Sequence, residues 1–358
     1  MLTFAVNSLW AQSLVKEATN SFARYGKTQK VAELEKARKL IDDVYSTRRD
    51  TFSLRNNLIR AMIYSTLAVV DSGRKYTYKK DPLEEVEFSL SKLHSPKFLD
   101  EHEPEMAYIN KQLAKAYLFQ ANKALEDSRF YESLTGYKKV DLLSPGEPAV
   151  IHNLAVISQK LGYKEESLRY YHQLIEDKPA HADYYLTMAE LYTDLYQEAK
   201  MVEILQLGHQ RFPKNRDILF KLINTFSDKQ DYPAIVKIID DALALDPDNM
   251  SLNYLAGFSH EMLGDRSKAE AFYKKMLSMD VNSYDGNYAL GLLYLNSYLR
   301  NTKKDDQLFL AKRYLSKANE IDPNDVKGLR ALVVLYKQTG DMMQLQKLNN
   351  KLNELILN

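Results

Sequence analysis

Five short stretches of this sequence hold residue types that could do chemistry at a useful spacing. Gly26-Lys27-Thr28 looks like the end of a phosphate-binding loop, in which backbone amides cradle a phosphate and the lysine reaches its outer oxygens. Such a loop also needs a glycine five positions before Gly26, where Ser21 stands, and a strand ahead of it, where Ser21 to Arg24 continue a helical pattern. Ser89 and Lys92 have the serine–lysine spacing of β-lactamase-type enzymes, without the companion motifs that complete such a site. His260-Glu261 begins like a zinc-protease helix, but Gly264 occupies the place of the second histidine. Asp100, Glu101, His102, Glu103 and Glu105 could gather round a cation, yet acids at the start of a helix are explained by the helix dipole alone. The basic loop Arg74 to Lys80 (RKYTYKK) has the charge content of a solvated turn. No catalytic, cofactor-binding or metal-binding residue is assigned, and the chain is read as a non-enzyme.

Composition narrows the remaining classes. With 49 Lys and Arg against 48 Asp and Glu, the net charge of +1 offers no general attraction to phosphate backbones, so nucleic acid is not an expected partner. The absence of cysteine excludes disulfides, thiolate metal sites and a cysteine nucleophile. Only 12 residues in 358 are glycine, roughly half the usual share, which points to helix rather than to tight turns. Hydrophobic residues at 45% are enough to build a packed core, and no apolar run reaches the roughly 18 residues that cross a bilayer.

The prolines reveal a period. Pro145, Pro179, Pro213 and Pro247 are 34 residues apart, and Pro323 follows after a longer step in which Val281 stands where a proline is due. The step from 281 to 323 is eight residues too long, and residues 299 to 308 (LRNTKKDDQL) are expected to lengthen the sixth inter-helix loop. Helix pairs starting near residues 114, 148, 182, 216, 250, 284 and 326 follow from this register.

Inside the repeats the same residue types recur, as in IHNLAVISQKLGYKEESLRYYHQLIEDKP from Ile151 to Pro179. This pattern resembles the tetratricopeptide repeat. The eighth position is small (Ala121, Ala155, Ala189, Gly257, Gly291), so the first helix can lie close to its own second helix. Turn glycines stand at Gly162, Gly264 and Gly340, with Tyr196 and Gln230 replacing the glycine in other repeats. The twentieth position is again small (Ser133, Ser167, Ala269, Ala311), and Tyr137, Tyr171 and Tyr273 fill the gap to the next repeat. The resemblance implies an all-α, right-handed superhelical solenoid of antiparallel helix pairs. Residues 114–358 hold seven such repeats and a C-terminal capping helix, and residues 1–113 hold longer, degenerate helical hairpins with second helices near Gln29 and Pro82. Leu345, Leu348, Leu352 and Leu355 form one apolar stripe on the last helix, which suits a cap and could also serve a dimer.

In the family resembled, the first helices line a concave groove. Its inward positions here are Phe119, Asn122, His152, Asn153, Val156, Thr187, Glu190, Phe220, Lys221, Asn224, Tyr254, Phe258, Tyr288, Leu292, Lys327 and Arg330. The resemblance therefore implies a protein-interaction scaffold or adaptor, or alternatively a regulatory or recruiting subunit of an enzyme complex. Some relatives clamp a chaperone's C-terminal carboxylate with lysines and asparagines. Asn122 and Asn153 match, but Leu118 replaces a lysine, and Asp183 with Thr187 stand where two cations are needed, so chaperone tails are not expected ligands. Residues 1–11 (MLTFAVNSLWA) have two readings, an ordinary first helix or the remnant of a signal peptide. The first implies a cytoplasmic protein and the second a periplasmic or secreted one.

Overall fold

A short rule after three of the closing prolines decides where the next helix begins, while Glu147 and His181, at the same place after Pro145 and Pro179, make no side-chain cap bond. Two residues beyond Pro213, Pro247 and Pro323 stand Asn215, Asn249 and Asp325, whose side chains accept the backbone N–H of Ile218 (3.0 Å), Leu252 (3.0 Å) and Gly328 (2.5 Å). Each cap satisfies a donor that the first helical turn leaves unbonded. Where Val281 replaces the proline, Ser283 keeps the rule and takes the Gly286 N–H at 3.2 Å. Second helices start in the same way, from Asp231, Asp265 and Asp341.

The computed structural model describes residues 2–45, 48–176, 181–300 and 305–357, with the backbone alone for residues 2–12, 48 and 357. Among the described residues every regular element is a helix. They fall into two compact units, Met1–Ala180 and His181–Asn358. The first unit contains α1 (Leu2–Thr28), α2 (Val31–Val44), α3 (Arg48–Thr51), α4 (Leu54–Val70), α5 (Pro82–Leu90), α6 (Pro96–Glu101), α7 (Glu103–Glu126), α8 (Phe130–Leu143), α9 (Pro148–Lys160) and α10 (Lys164–Glu176). The second contains α11 (Ala182–Asp194), α12 (Glu198–Arg211), α13 (Arg216–Asp228), α14 (Tyr232–Leu245), α15 (Met250–Met262), α16 (Arg266–Met279), α17 (Tyr284–Arg300), α18 (Asp305–Ile321), α19 (Val326–Thr339) and α20 (Met342–Leu357). Sequential helices pack in pairs within each unit, α1 on α2, α4 on α5, α7 on α8 and so on to α19 on α20. Pro179 and the signal-remnant reading of Met1 and its neighbours' side chains lie outside the described residues.

The small positions bring the two helices of a pair into near contact. A Cβ on Gly257 would meet the Tyr273 ring at 2.5 Å, and one on Gly291 would meet Leu315 at 2.6 Å. Two alanine pairs add a polar clasp. Ser133 Oγ donates to the Ala121 carbonyl at 2.9 Å and Ser167 Oγ to the Ala155 carbonyl at 2.8 Å, each crossing from the second helix to the first. Tyr137, Tyr171 and Tyr273 are buried behind these contacts.

The connection between paired helices turns through a left-handed residue whatever its type. Gly162, Gly264 and Gly340 have φ of 79°, 82° and 70°, and Ser128, Tyr196 and Gln230 adopt 58°, 56° and 55° at the equivalent place. A Cβ costs about 1–2 kcal/mol there, and the flanking helices impose it.

Two regions depart from a regular array. The insertion at residues 299 to 308 was expected to lengthen a loop, but most of it is helix. Both α17 and α18 have 17 residues, against 13 in α15 and 14 in α16, and residues 301–304 lie outside the described residues. Leu295 and Tyr298 continue the buried stripe of α17, and Asp305 with Asp306 give α18 an acidic first turn. Near the N-terminus, the buried Arg60 guanidinium joins three helices. It binds Asp42 of α2 and Glu85 of α5 (2.9 Å) while stacking on Tyr45 and Tyr64 at 4.4 and 4.6 Å. At the other end Leu348 and Leu352 bury themselves against the last repeat, with Leu345 and Leu355 beside them, so the leucine stripe of α20 packs as a cap.

Replacing Gln230 or the fully exposed Tyr196 by glycine relieves the left-handed strain and removes no contact. Each change is expected to stabilise the second unit by about 0.5–1 kcal/mol, read as a rise of roughly 2 °C in melting temperature. Gly257→Ala is expected to act the other way, because the Tyr273 ring is fully buried and must move. A loss of about 1–3 kcal/mol in thermal or urea unfolding is the expected result.

Candidate functional site

In the first unit, α7 begins at Glu103, eleven residues before the repeat register starts at 114. This extension prolongs one face of the helix, and that face forms the wall of an open cleft of about 800 Å³ against the end of α8 and the start of α9. Its floor is apolar, made by Ala114, Leu118, Val140, Leu143 and Val150. Its polar rim is Asn110, Lys111, Lys115, Asn122, Glu147 and Asn153.

Asn122 and Asn153 meet through one buried hydroxyl. Tyr137 OH donates to Asn122 Oδ1 at 2.5 Å and accepts from Asn153 Nδ2 at 3.0 Å. Burial pushes the Tyr137 hydroxyl up from its ordinary value, with a smaller contribution from the Glu126 carboxylate, so it stays protonated and the relay persists at neutral pH. The other sequence-derived positions of this unit are Phe119, 45% exposed on α7, and His152 and Val156, half-buried on α9.

In the second unit the sequence-derived positions form smaller groups. Tyr254 and Phe258 of α15 stack almost parallel at 6.1 Å, and Tyr232 of α14 sets its edge against Phe258 at 5.6 Å. Tyr288 of α17 stacks on Tyr284 at 5.7 Å, and Tyr284 in turn donates to Asp325, the cap of α19. Tyr254, Tyr288 and Leu292 also pack against the buried core, so these side chains serve stability and remain half-buried. On α13 the Arg216 guanidinium covers Phe220 at 5.1 Å, and Lys221 approaches Glu190 of α11 at 3.8 Å across an exposed surface. Such a pair contributes at most about 1 kcal/mol. Thr187 is half-buried, and Asn224 and Arg330 are exposed.

The motifs weighed for chemistry have structural partners. Ser89 is buried and donates to the Glu85 carbonyl, while the Lys92 ammonium sits over the Phe52 and Phe88 rings at 4.9 and 5.0 Å. Thr28 bonds to the Arg24 carbonyl at the end of α1. The basic loop is tied down rather than merely solvated. Asp71 accepts from the backbone of Lys75 and Tyr76 and from the Tyr78 hydroxyl, and Arg74 pairs with Asp81. His260 stacks on Phe272, and Glu261 accepts from the Tyr273 hydroxyl at 3.0 Å. Among the described residues no helix is long and apolar enough to cross a membrane.

Sequence reasoning left out Asn110 and Lys111 because they precede the repeat register at residue 114, and it did not include Lys115, the second position of that repeat, in the inward set. The signal was present: 111, 115, 118 and 122 follow the three- and four-residue steps of one helix face, and Pro104 marks the earlier start.

Helix pairs of this period, closed by small residues and turned through left-handed ones, have known counterparts. The curated relative "Anaphase-promoting complex subunit 3" of Schizosaccharomyces pombe (strain 972 / ATCC 24843) is 23% identical over 299 residues. Each unit carries tetratricopeptide-type helix pairs. The match to that relative covers 83% of this chain and 41% of its own length, so the chain spans about two fifths of it. A family model described as the MAP3K TRAFs-binding domain matches residues 209–358. Among solved structures, the C-terminal part of a TPR repeat-containing protein from Cytophaga hutchinsonii matches at 15% identity, covering 66% of this chain and 95% of that one, with a TM-score of 0.42. MamA residues 41 to the end, from Desulfovibrio magneticus RS-1, matches at 15% identity, covering 51% and 98%, with a TM-score of 0.34.

The carboxyl of Glu261 is held above the usual glutamate range, chiefly by burial, against the opposing hydrogen bond from Tyr273. A carboxyl whose folded value is raised binds its proton more tightly in the native state, so its stability contribution is present at acid pH and is lost as pH rises past that range. Glu261→Gln keeps an acceptor for Tyr273 without the charge. The variant is expected to melt above the wild type at neutral pH, with the difference closing near pH 4 in melting curves recorded across pH.

Proposed function

We propose that this chain is a non-catalytic scaffold or adaptor that binds partner peptides or domains on the inward faces of its first helices. In the first unit the surface consists of Phe119, Asn122, His152, Asn153 and Val156. In the second it consists of Thr187, Glu190, Phe220, Lys221, Asn224, Tyr254, Phe258, Tyr288, Leu292 and Arg330. The observation that carries this reading is the open cleft beside α7, where an apolar floor is combined with two amides held in place by Tyr137. Aromatic rings that stay partly exposed supply contact area at low entropic cost, and paired amides satisfy a peptide backbone. The near-zero net charge favours protein partners over nucleic acid. Asp183 with Thr187, in place of two cations, weighs against chaperone tails.

The second reading is a regulatory or recruiting subunit of a larger enzyme complex. The name of the yeast relative, a subunit of a complex, supports it, as does the match to a family named for binding TRAFs.

Co-purification from the native cell with mass spectrometry tests both. Wild type is compared with a Phe220→Ala, Asn224→Ala, Tyr254→Ala variant shown by circular dichroism to stay helical. Loss of specific partners in the variant supports the inward surface of the second unit, and the recovered proteins show whether an enzyme complex is among them. An unchanged partner set rules that surface out.

A further inference from the structure

We infer that the cleft beside α7 takes an extended peptide segment in which acidic side chains directly adjoin apolar ones, an inference that rests on the scaffold reading above and specifies the ligand of its first unit.

The backbone of such a ligand is recognised by the amide pair. A tyrosine hydroxyl has one proton, and Tyr137 gives it to Asn122 Oδ1 while accepting from Asn153 Nδ2. What remains at the cleft is the donor end of Asn122 and the acceptor end of Asn153. One donor beside one acceptor is the complement of a peptide unit's C=O and N–H. Tyr137 is 1% exposed, so its ring cannot turn away, and reversing both amides together would exchange their ends but still leave one donor beside one acceptor at the cleft.

The acidic side chains are called for by charge. Lys111 and Lys115 are exposed, stand one helical turn apart on α7, and take part in none of the ion pairs among the described residues. The single carboxylate on the cleft is Glu147, ahead of α9. The cleft is thus positive on the α7 side in a chain whose net charge is only +1, and Glu147 repels an acidic group from the other wall.

The adjacency of acidic and apolar side chains in the ligand follows from the helix face. Lys111, Lys115, Leu118 and Asn122 succeed one another along α7, over a length of roughly 16 Å at 1.5 Å per residue. An extended chain covers that length in about five residues. A ligand lying along α7 therefore meets the two cations first, the apolar floor next and the amide pair last. An acidic side chain is sufficient, so the segment need not carry a free C-terminus.

The test uses the full chain and fluorescence anisotropy with short, end-blocked peptides containing Asp-Glu followed by Leu-Phe. Comparison peptides replace Asp-Glu with Lys-Lys, or Leu-Phe with Ser-Ser. The acidic–apolar peptide is expected to bind at least about tenfold tighter than either. Lys111→Glu with Lys115→Glu is expected to cost about tenfold and to turn the preference toward the Lys-Lys peptide, while Glu147→Gln tightens the original one. Tyr137→Phe is expected to weaken all three peptides alike. If that variant unfolds, the lysine reversal on exposed side chains decides by itself. Equal binding of the Ser-Ser peptide would show an unselective anion surface and overturn the inference. So would the absence of saturable binding, or binding unaffected by the lysine reversal. None of these outcomes touches the co-purification with the second-unit variant, so the scaffold reading stands or falls separately.

Discussion

Close approach of the two helices within a pair is the contact on which the remaining structure depends. A helix hairpin of this size cannot bury its own apolar faces, and stacking buries them only if the paired axes come near enough for the next pair to reach both. The eighth position makes that possible. At Gly257 and Gly291 the neighbouring side chain occupies the space of a methyl group, and at Ala121 and Ala155 a serine from the second helix reaches across to the carbonyl. With the pair closed, Tyr137, Tyr171 and Tyr273 can fill the space behind it. The large buried residues are therefore consequences of the small ones.

Once the pairs are closed, local preferences yield to them. Ser128, Tyr196 and Gln230 stand in a left-handed conformation that glycine occupies without penalty elsewhere in the chain. The connection is too short for any other path between two packed helices, so the turn geometry is imposed and the residue tolerates it. The same logic explains the insertion at residues 299 to 308. Extra residues that continue an apolar stripe gain burial by extending α17, where a free loop would have gained nothing.

The structural contacts and the candidate surface share side chains. Tyr137 fills the gap between two repeats and also holds Asn122 and Asn153 together at the cleft through its one hydroxyl. Tyr254 and Tyr288 pack on the core of the second unit while leaving part of each ring uncovered. A surface built in this way is rigid before a ligand arrives, because the residues that orient it are those that hold the helices together. Preorganisation of that kind lowers the entropic cost of binding.

The sequence by itself determined the period, the helix pairs and the starting points of the pairs after the first of the register. Proline phase, small eighth positions and turn residues act over a few residues, and such short-range rules are legible in one dimension. It also named Asn122 and Asn153 as a pair, through a family resemblance. Tertiary structure decided what sequence spacing cannot express. The Tyr137 hydroxyl joins residues from three helices, Arg60 gathers carboxylates from two others, and the cleft beside α7 is cationic because Lys111, in the early part of that helix, joins Lys115 along its wall. Each of these depends on which side chains from distant segments arrive at one point, and only packing of the pairs sets that.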